Sequence, residues 1–293
     1  MNELRFDGRV AIITGARRGI GRAYAELMAR RGAKLVLNAL GSLDELAAEL
    51  QAIPGAEVAT LSGDAGDPEL CAALVDLALK RFGRLDIIIC NAGGGEMKPV
   101  TAPAELFAQK LQVDAVGPFN LVRTAWPHLV AQGYGRILLT SSTVGAYGIA
   151  GMVHYAAAKA AVIGMTKALA LEGAPSGILV NAIAPNAITA SAAASVSITD
   201  IDPWQAACTP EAVAPAAAVL THEQCPVNGE LINAGGGRVA RMFLANPPGF
   251  HDPALTPETL LANWPAVIRE EGYCVPADAM ESGQVWARKN AGF

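Results

Sequence analysis

The chain has 293 residues, room for one large domain or two small ones, since domains usually run from about 50 to 250 residues. A hydrophobic fraction of 52% with 17% charged residues excludes a disordered chain, and 30 Gly with 18 Pro follow no collagen-like period. Lys plus Arg at 22 against Asp plus Glu at 27 leaves a net charge of −5, which offers no cationic surface to nucleic acid.

Val10 to Thr14, Lys34 to Asn38, Val58 to Ser62, Asp86 to Cys90, Arg136 to Ser141 and Ile178 to Ile183 read as strands separated by Ala-rich helical stretches. Their nearly continuous apolar character suits parallel strands covered by helices on both faces. The sequence therefore predicts an α/β fold built on a doubly wound parallel sheet. A helix over Ile20 to Arg31 follows the first strand. Glu230 to Asn233 reads as the last strand, after a helix introduced by Thr209 as N-cap, Pro210 at its first position and Glu211 in its first turn. Residues 1–237 form a single domain in this reading. Residues 238–293 form a C-terminal extension, packed on the core or on a neighbouring subunit, with a helix over Thr259 to Glu271 after Thr256-Pro257-Glu258. The extension is either a surface element or a substrate lid.

Gly173 to Thr199 is uncharged and long enough to span a bilayer, but Pro175, Gly177, Asn181, Pro185 and Asn186 interrupt it, so no membrane helix is expected. Met1 to Gly8 carries Glu3, Arg5 and Asp7 and lacks the apolar run of a signal peptide, which points to a cytoplasmic protein. Cys71, Cys90, Cys208, Cys225 and Cys274 are odd in number, widely spaced and without a Cys-x-x-Cys pair. They read as buried thiols rather than as a disulfide framework or a zinc site. His128, His222 and His251 have no ligand spacing, and no metal is expected.

Gly15, Arg17, Arg18, Gly19, Ile20 and Gly21 lie between the first strand and the first helix. Such a turn aims backbone N–H groups and the positive helix end at a pyrophosphate, and its glycines permit the bend and the close approach. Folds that prefer NAD usually place Asp or Glu at the end of the second strand, to hold the ribose 2′-hydroxyl. Here that end reads Leu37-Asn38-Ala39-Leu40-Gly41-Ser42, with no carboxylate, while Arg17 and Arg18 stand in the turn before it. The charge pattern tilts toward NADP. NAD stays open if the arginines face solvent and Asn38 or Ser42 serves the ribose. Asp64 either accepts from an adenine amino group or caps the next helix, near Asp67-Pro68.

Tyr155 and Lys159 stand at i and i+4, on one helix face. A phenol, with an ordinary pKa of about 10, is a poor base at neutral pH, but a nearby ammonium stabilises its phenolate and lets it exchange a proton with an alcohol or carbonyl oxygen. Ser142, at the end of the fifth strand, is placed to donate to the same oxygen. His154, beside Tyr155, points about 100° away on a helix and reads as a structural or pocket-rim residue.

Thr14 to Gly21, Asn91-Ala92-Gly93, Ser142, Tyr155-x3-Lys159 and Asn181-x3-Pro185 occur together and in order, and over residues 6 to 240 the chain resembles the short-chain dehydrogenases/reductases. The resemblance implies a Rossmann-like fold, Tyr155 as acid/base, Lys159 as its partner and a binder of the nicotinamide ribose, and Ser142 on the substrate oxygen. It also implies that Asn91, Ala92, Gly93, Pro185 and Ile188 line the cofactor site, and that the chain assembles as a homodimer or homotetramer.

Val36 to Gly41, Tyr147-Gly148, Ile183 to Ala187, the stretch from Val213 through His222-Glu223-x-Cys225 to Gly237, and Leu255 to Glu258 with Asn263-Trp264 are similar to the dehydrogenase unit of peroxisomal multifunctional enzymes of type two. That likeness implies interconversion of a 3-hydroxyacyl-CoA and its 3-keto form. CoA carries phosphates, for which Arg238, Arg241, Arg269, Arg288 and Lys289 are candidate cations, the alternative being ordinary surface charges. Two departures stand out. Ala39 replaces the subgroup's Asp, and Asp114 replaces the family's usual catalytic Asn, which holds a water of the proton relay partly through its backbone carbonyl. Asp114 keeps that role in this reading, and its carboxylate would also stabilise Lys159 as a cation. The alternatives are a dehydrogenase or reductase of a hydroxysteroid or other hydrophobic alcohol, with Ala187 to Ile201 as a lid, and a catalytically silent dinucleotide-binding protein.

Overall fold

The computed structural model describes residues 3–188 and 202–283. They divide into two compact units, one up to Arg241 and one from Met242. In the first unit β1 (Val10–Thr14), β2 (Lys34–Ala39), β3 (Val58–Ser62), β4 (Ile87–Cys90), β5 (Gly135–Thr140), β6 (Ile178–Pro185), β7 (Leu231–Gly235) and β8 (Arg238–Met242) form one sheet in the order β3-β2-β1-β4-β5-β6-β7-β8. Neighbours from β3 through β7 pair in parallel, with Ile12 opposite Val36 on one side and Ile88 on the other. The expected doubly wound α/β sheet is therefore present. Because β1 and β4 are buried on both faces, their residues alternate between two cores. Ala11, Ile13, Ile87 and Ile89 point into the cluster that includes Tyr24 and Met28 of α1 (Gly19–Arg30), while Val10, Ile12 and Ile88 are buried outside that cluster.

β1 and β3 have the bounds expected from the sequence, and the other expected strands differ by one or two residues at one or both ends. Asp86, just before β4, donates its N–H to the Val10 carbonyl and accepts from the Arg136 N–H, while its carboxylate accepts the Val10 N–H and pairs with Arg9 and Arg84. β8 was not anticipated. Only Gly236 and Gly237 separate it from β7, and both have positive φ (57° and 76°), which suits a reversal between neighbouring strands.

The remaining helices of the first unit are α2 (Asp44–Gln51), α3 (Pro68–Phe82), α4 (Ala104–Leu111), α5 (Gly117–Gln132), α6 (Thr143–Tyr147), α7 (Val153–Gly173), α8 (Pro203–Ala207) and α9 (Pro210–Thr221). α9 begins as expected, with the Thr209 hydroxyl accepting the Ala212 N–H. A single π-helical turn, Gln112–Val116, joins α4 to α5.

In the second unit the Thr256–Thr259 capping box starts α10 (Pro257–Ala262), and α11 covers Trp264–Val267. The predicted helix to Glu271 is thus broken at Asn263 and ends early, because Pro265 cannot continue α10 and sits instead in the first turn of α11. Asn246 and Cys274 form an antiparallel bridge in this unit. Of the five cysteines, Cys71, Cys90 and Cys208 are buried, but Cys225 and Cys274 are partly exposed, which corrects the expectation of five buried thiols. Among the described residues no helix is long and apolar enough to cross a membrane, and no group of His, Cys, Asp and Glu side chains has the proximity to hold a metal ion.

Candidate active site

At the carboxyl ends of β1 and β4 the direction of winding reverses, the position where open α/β sheets bind ligands. Gly15 (φ 66°) and Gly19 (φ 59°) use the left-handed region to turn the chain from β1 into α1. Gly21 is required for a different reason. A Cβ there would lie 2.3 Å from the Gly15 carbonyl oxygen and 2.5 Å from Asn91 Nδ2.

Asn91 and Ala92 donate their backbone N–H groups to Thr14 Oγ1, each at 3.0 Å. The Asn91 amide donates further to the Thr14 carbonyl (3.1 Å) and the Gly15 carbonyl (3.3 Å). Its side chain thus holds the glycine turn. Arg18 at the N-cap of α1 makes no side-chain capping bond, and no acidic residue occupies the first turn. The N–H groups around Gly19, Ile20 and Gly21 therefore lack a side-chain acceptor and fit a dinucleotide pyrophosphate.

Both Arg17 and Arg18 are exposed, and Arg17 reaches the end of β2, where a Cβ on Gly41 would meet its Nη1 at 2.7 Å. The two polar side chains suggested for an NAD ribose are occupied or buried. Asn38 is 1% exposed and donates to the Leu61 and Gly63 carbonyls, and Ser42 donates to Asp44. Asp64 is exposed and accepts the Gly66 N–H at 2.8 Å, while Asp67 caps α3.

Tyr155 and Lys159 project from the first turns of α7. Lys159 is 2% exposed, and its Nζ donates to the Thr140 carbonyl at 2.8 Å. The same nitrogen lies 3.1 Å from Asp114 Oδ2 and 5.6 Å from the centre of the Tyr155 ring. α7 is fixed locally by Ser141, whose hydroxyl donates to the Lys159 carbonyl at 2.8 Å, and by Gly145, where a Cβ would come within 2.6 Å of the Lys159 carbonyl carbon. Asp114 is fully buried in the π turn.

Ser142 does not end β5, which stops at Thr140. It is the N-cap of α6, and its Oγ accepts the Val144 N–H at 3.1 Å. Accepting that bond leaves its O–H hydrogen to donate elsewhere. His154 is 5% exposed, and its Nε2 has no partner.

Gly93 has φ 145°, and a Cβ on it would meet Asp114 Oδ2 at 2.8 Å. Pro185 ends β6, and the Ile188 N–H donates to the Cys208 carbonyl at 2.8 Å. Residues 189–201 of the predicted lid, and Arg288 and Lys289, lie outside the described residues. Arg238 and Arg241, suggested for CoA, are engaged within the first unit: Arg238 donates to Asn233, and Arg241 makes a two-pronged pair with Glu230. Lys110, 3.6 Å from Asp114, was missed by the sequence reading, although its place four residues earlier was a usable signal.

Residues 9–200 match the short chain dehydrogenase family. The chain is 35% identical over 296 residues to peroxisomal multifunctional enzyme type 2 of Mus musculus, covering 95% of this chain and 39% of that protein. It is 37% identical over 270 residues to the peroxisomal hydratase-dehydrogenase-epimerase of Neurospora crassa, covering 90% of this chain and 29% of the other. The structure of full-length peroxisomal multifunctional enzyme type 2 from Drosophila melanogaster superimposes with a TM-score of 0.82 at 29% identity, over 99% of this chain and 51% of that one. The chain therefore spans from 29% to 51% of the length of these relatives. With the fold, the glycine turn and this match together, the chain belongs to the short-chain dehydrogenase/reductase family, oxidoreductases that act on CH–OH groups.

Proposed function

We propose that the protein interconverts a secondary alcohol and a ketone with a nicotinamide dinucleotide, NADP in preference to NAD, and that a 3-hydroxyacyl-CoA/3-ketoacyl-CoA pair is its substrate. The observation that carries this reading is the placement of Lys159 Nζ between the Thr140 carbonyl, the Asp114 carboxylate and the Tyr155 ring. The bound nicotinamide supplies the hydride acceptor or donor. In the oxidative direction the Tyr155 phenolate, stabilised by the Lys159 ammonium, takes the alcohol proton as the hydride departs and becomes the neutral phenol. Ser142 donates to the substrate oxygen as charge develops there. Asp114 holds Lys159 in place.

NADP preference rests on Arg17 over Gly41 and on the absence of a carboxylate at Ala39. Support for the acyl-CoA pair comes from the multifunctional enzymes that the chain resembles. A hydrophobic alcohol such as a hydroxysteroid is the second reading, favoured by exposed Tyr147, Ile149 and Val153 on the segment that leads into Tyr155 and by exposed Met97, which lies beside Gly151 of that segment. In the same proposal the chain acts in the cytoplasm as a homodimer or homotetramer, with 1–237 as catalytic domain and 238–293 as its extension.

The test is a panel of 3-hydroxyacyl-CoAs and steroid alcohols, followed by reduced-nicotinamide absorbance with NAD and with NADP. Turnover confined to substrates without CoA refutes the first substrate, and coenzyme binding without any turnover refutes the catalytic reading. Tyr155→Phe should lower kcat by about a thousandfold or more while coenzyme affinity stays within a few-fold.

A further inference from the structure

Lys110 touches two parts of the site at once. Its Nζ stands 3.6 Å from Asp114 Oδ1 and also donates to the Gly94 carbonyl. The other oxygen of Asp114 faces Lys159. One fully buried carboxylate is therefore shared by two ammonium groups, one at each oxygen. Neither oxygen has an aligned hydrogen bond, so charge alone compensates its burial.

Helix support does not account for this pair. A lysine four residues ahead of an acid is the weaker order, because acids are favoured toward the helix N-terminus. The pair also crosses from α4 into the π turn, where regular helical hydrogen bonding stops. Lys110 reaches Tyr155 by a second route as well. Gly94, its backbone acceptor, is followed by Gly95, where a Cβ would stand 3.0 Å from Tyr155 Cγ.

We infer that Lys110 is a positioning residue of the catalytic site, which takes up part of the Asp114 charge so that Lys159 keeps a net positive field at Tyr155, and which holds the 93–95 loop beneath the ring. The inference rests on the proposed roles of Tyr155 and Lys159. Two ammonium groups and one carboxylate sum to the single positive charge that a lysine beside a neutral asparagine would have. Lys110 thus offsets the family's usual Asn being Asp here.

Other ionisable groups surround the cluster. Cys90 at the end of β4 and Cys71 on α3 are held as neutral thiols by burial. Asp64, in the loop that Gln112 of the π turn contacts through Gly66, is exposed, and His154 shares α7 with Tyr155. Glu96 and Lys98 on the loop after Gly95 pair with each other.

Tyrosinate absorbance tests the inference without coenzyme or substrate. Subtracting the alkaline ultraviolet titration of each Tyr155→Phe form from that of its parent isolates the Tyr155 phenolate. Lys110→Met should raise the Tyr155 midpoint by about one pH unit. Asp114→Asn should lower it, the double variant should return close to wild type, and Lys110→Arg should leave it in place. pH–rate profiles should shift their rising limbs in the same order. Circular dichroism establishes folding, and Lys110→Gln replaces the methionine variant should that one not fold. An unmoved midpoint in Lys110→Met, or shifts of the same sign for Lys110→Met and Asp114→Asn, overturns the inference. Absence of turnover by the wild-type protein refutes the functional reading alone, since the absorbance midpoints still decide the role of Lys110.

Discussion

Tyr155 lies against bare backbone at Gly95: a Cβ on that glycine would stand 3.0 Å from Cγ of the ring and 2.5 Å from Cε of Met152. The methionine end can swing aside, whereas the ring is held by α7. Gly95→Ala therefore shifts the phenol by about a few tenths of an ångström. Since misplacement by about 1 Å can cost a hundredfold in rate, kcat should fall by about tenfold, with coenzyme affinity within about threefold. Steady-state kinetics beside a fluorescence titration of the reduced coenzyme provides the check, and an unchanged kcat would show that the ring position is not critical.

Coenzyme choice should depend on Arg17. A charged hydrogen bond to a phosphate is worth about 1.5–3 kcal/mol, so Arg17→Ala should reduce the ratio of kcat/KM for NADP over NAD by about tenfold to a hundredfold. The loss should fall on the NADP value, with the NAD value nearly constant. Equal losses for both coenzymes would place Arg17 on the pyrophosphate instead.

Tyr24 on α1 is 1% exposed, and its hydroxyl has no hydrogen-bond partner. Burial raises its phenol well above the usual range. Deleting an unpaired buried hydroxyl removes a desolvation cost, so Tyr24→Phe should be neutral or stabilising by up to about 1 kcal/mol, whereas Tyr24→Ala should cost about 3–5 kcal/mol. Urea unfolding of the two variants measures the contrast. A clear loss of stability in the phenylalanine form would contradict it.

Burial pushes the Cys71 thiol up to about 11, the nearby Asp67 and Asp64 adding to the effect. A folded pKa above the unfolded one means that the folded state retains its proton while the unfolded state loses it. The stability tied to Cys71 is therefore fully present below about pH 9 and is lost as pH climbs toward about 11. Cys71→Ala should flatten the alkaline slope of unfolding free energy, and native-state alkylation of Cys71 should be slow at neutral pH. Equal alkaline slopes in the two proteins would show that other groups dominate there.

The strands were legible because parallel strands covered on both faces must be apolar throughout, as in Ile87–Cys90 and Val10–Thr14. β8 escaped the same reasoning: Arg238–Met242 carries Arg238 and Arg241 three positions apart, without a period-two pattern, and sits, largely exposed, at the edge of the sheet. The helix start at Thr256 was readable from capping chemistry, and Pro265 was a readable stop that the apolar residues continuing past Asn263 outweighed. In the site, the spacing of Tyr155 and Lys159 carried their shared face. The hydrogen bonds of Asn91 were not readable, because they depend on where Thr14 and Gly15 come to rest. The resemblance sets Asp114 beside Lys159, but nothing in the composition of Gln112–Val116 signals the π turn that carries Asp114, nor the sharing of its carboxylate with Lys110.

The bonds from Asn91 to Thr14 join segments 77 positions apart. A truncated N-terminal fragment that stops before β4 would own every glycine of the coenzyme loop and still leave that loop unbraced. Affinity for the proposed dinucleotide would thus depend on chain closure across the first third of the polypeptide, and not on the glycine signature taken by itself.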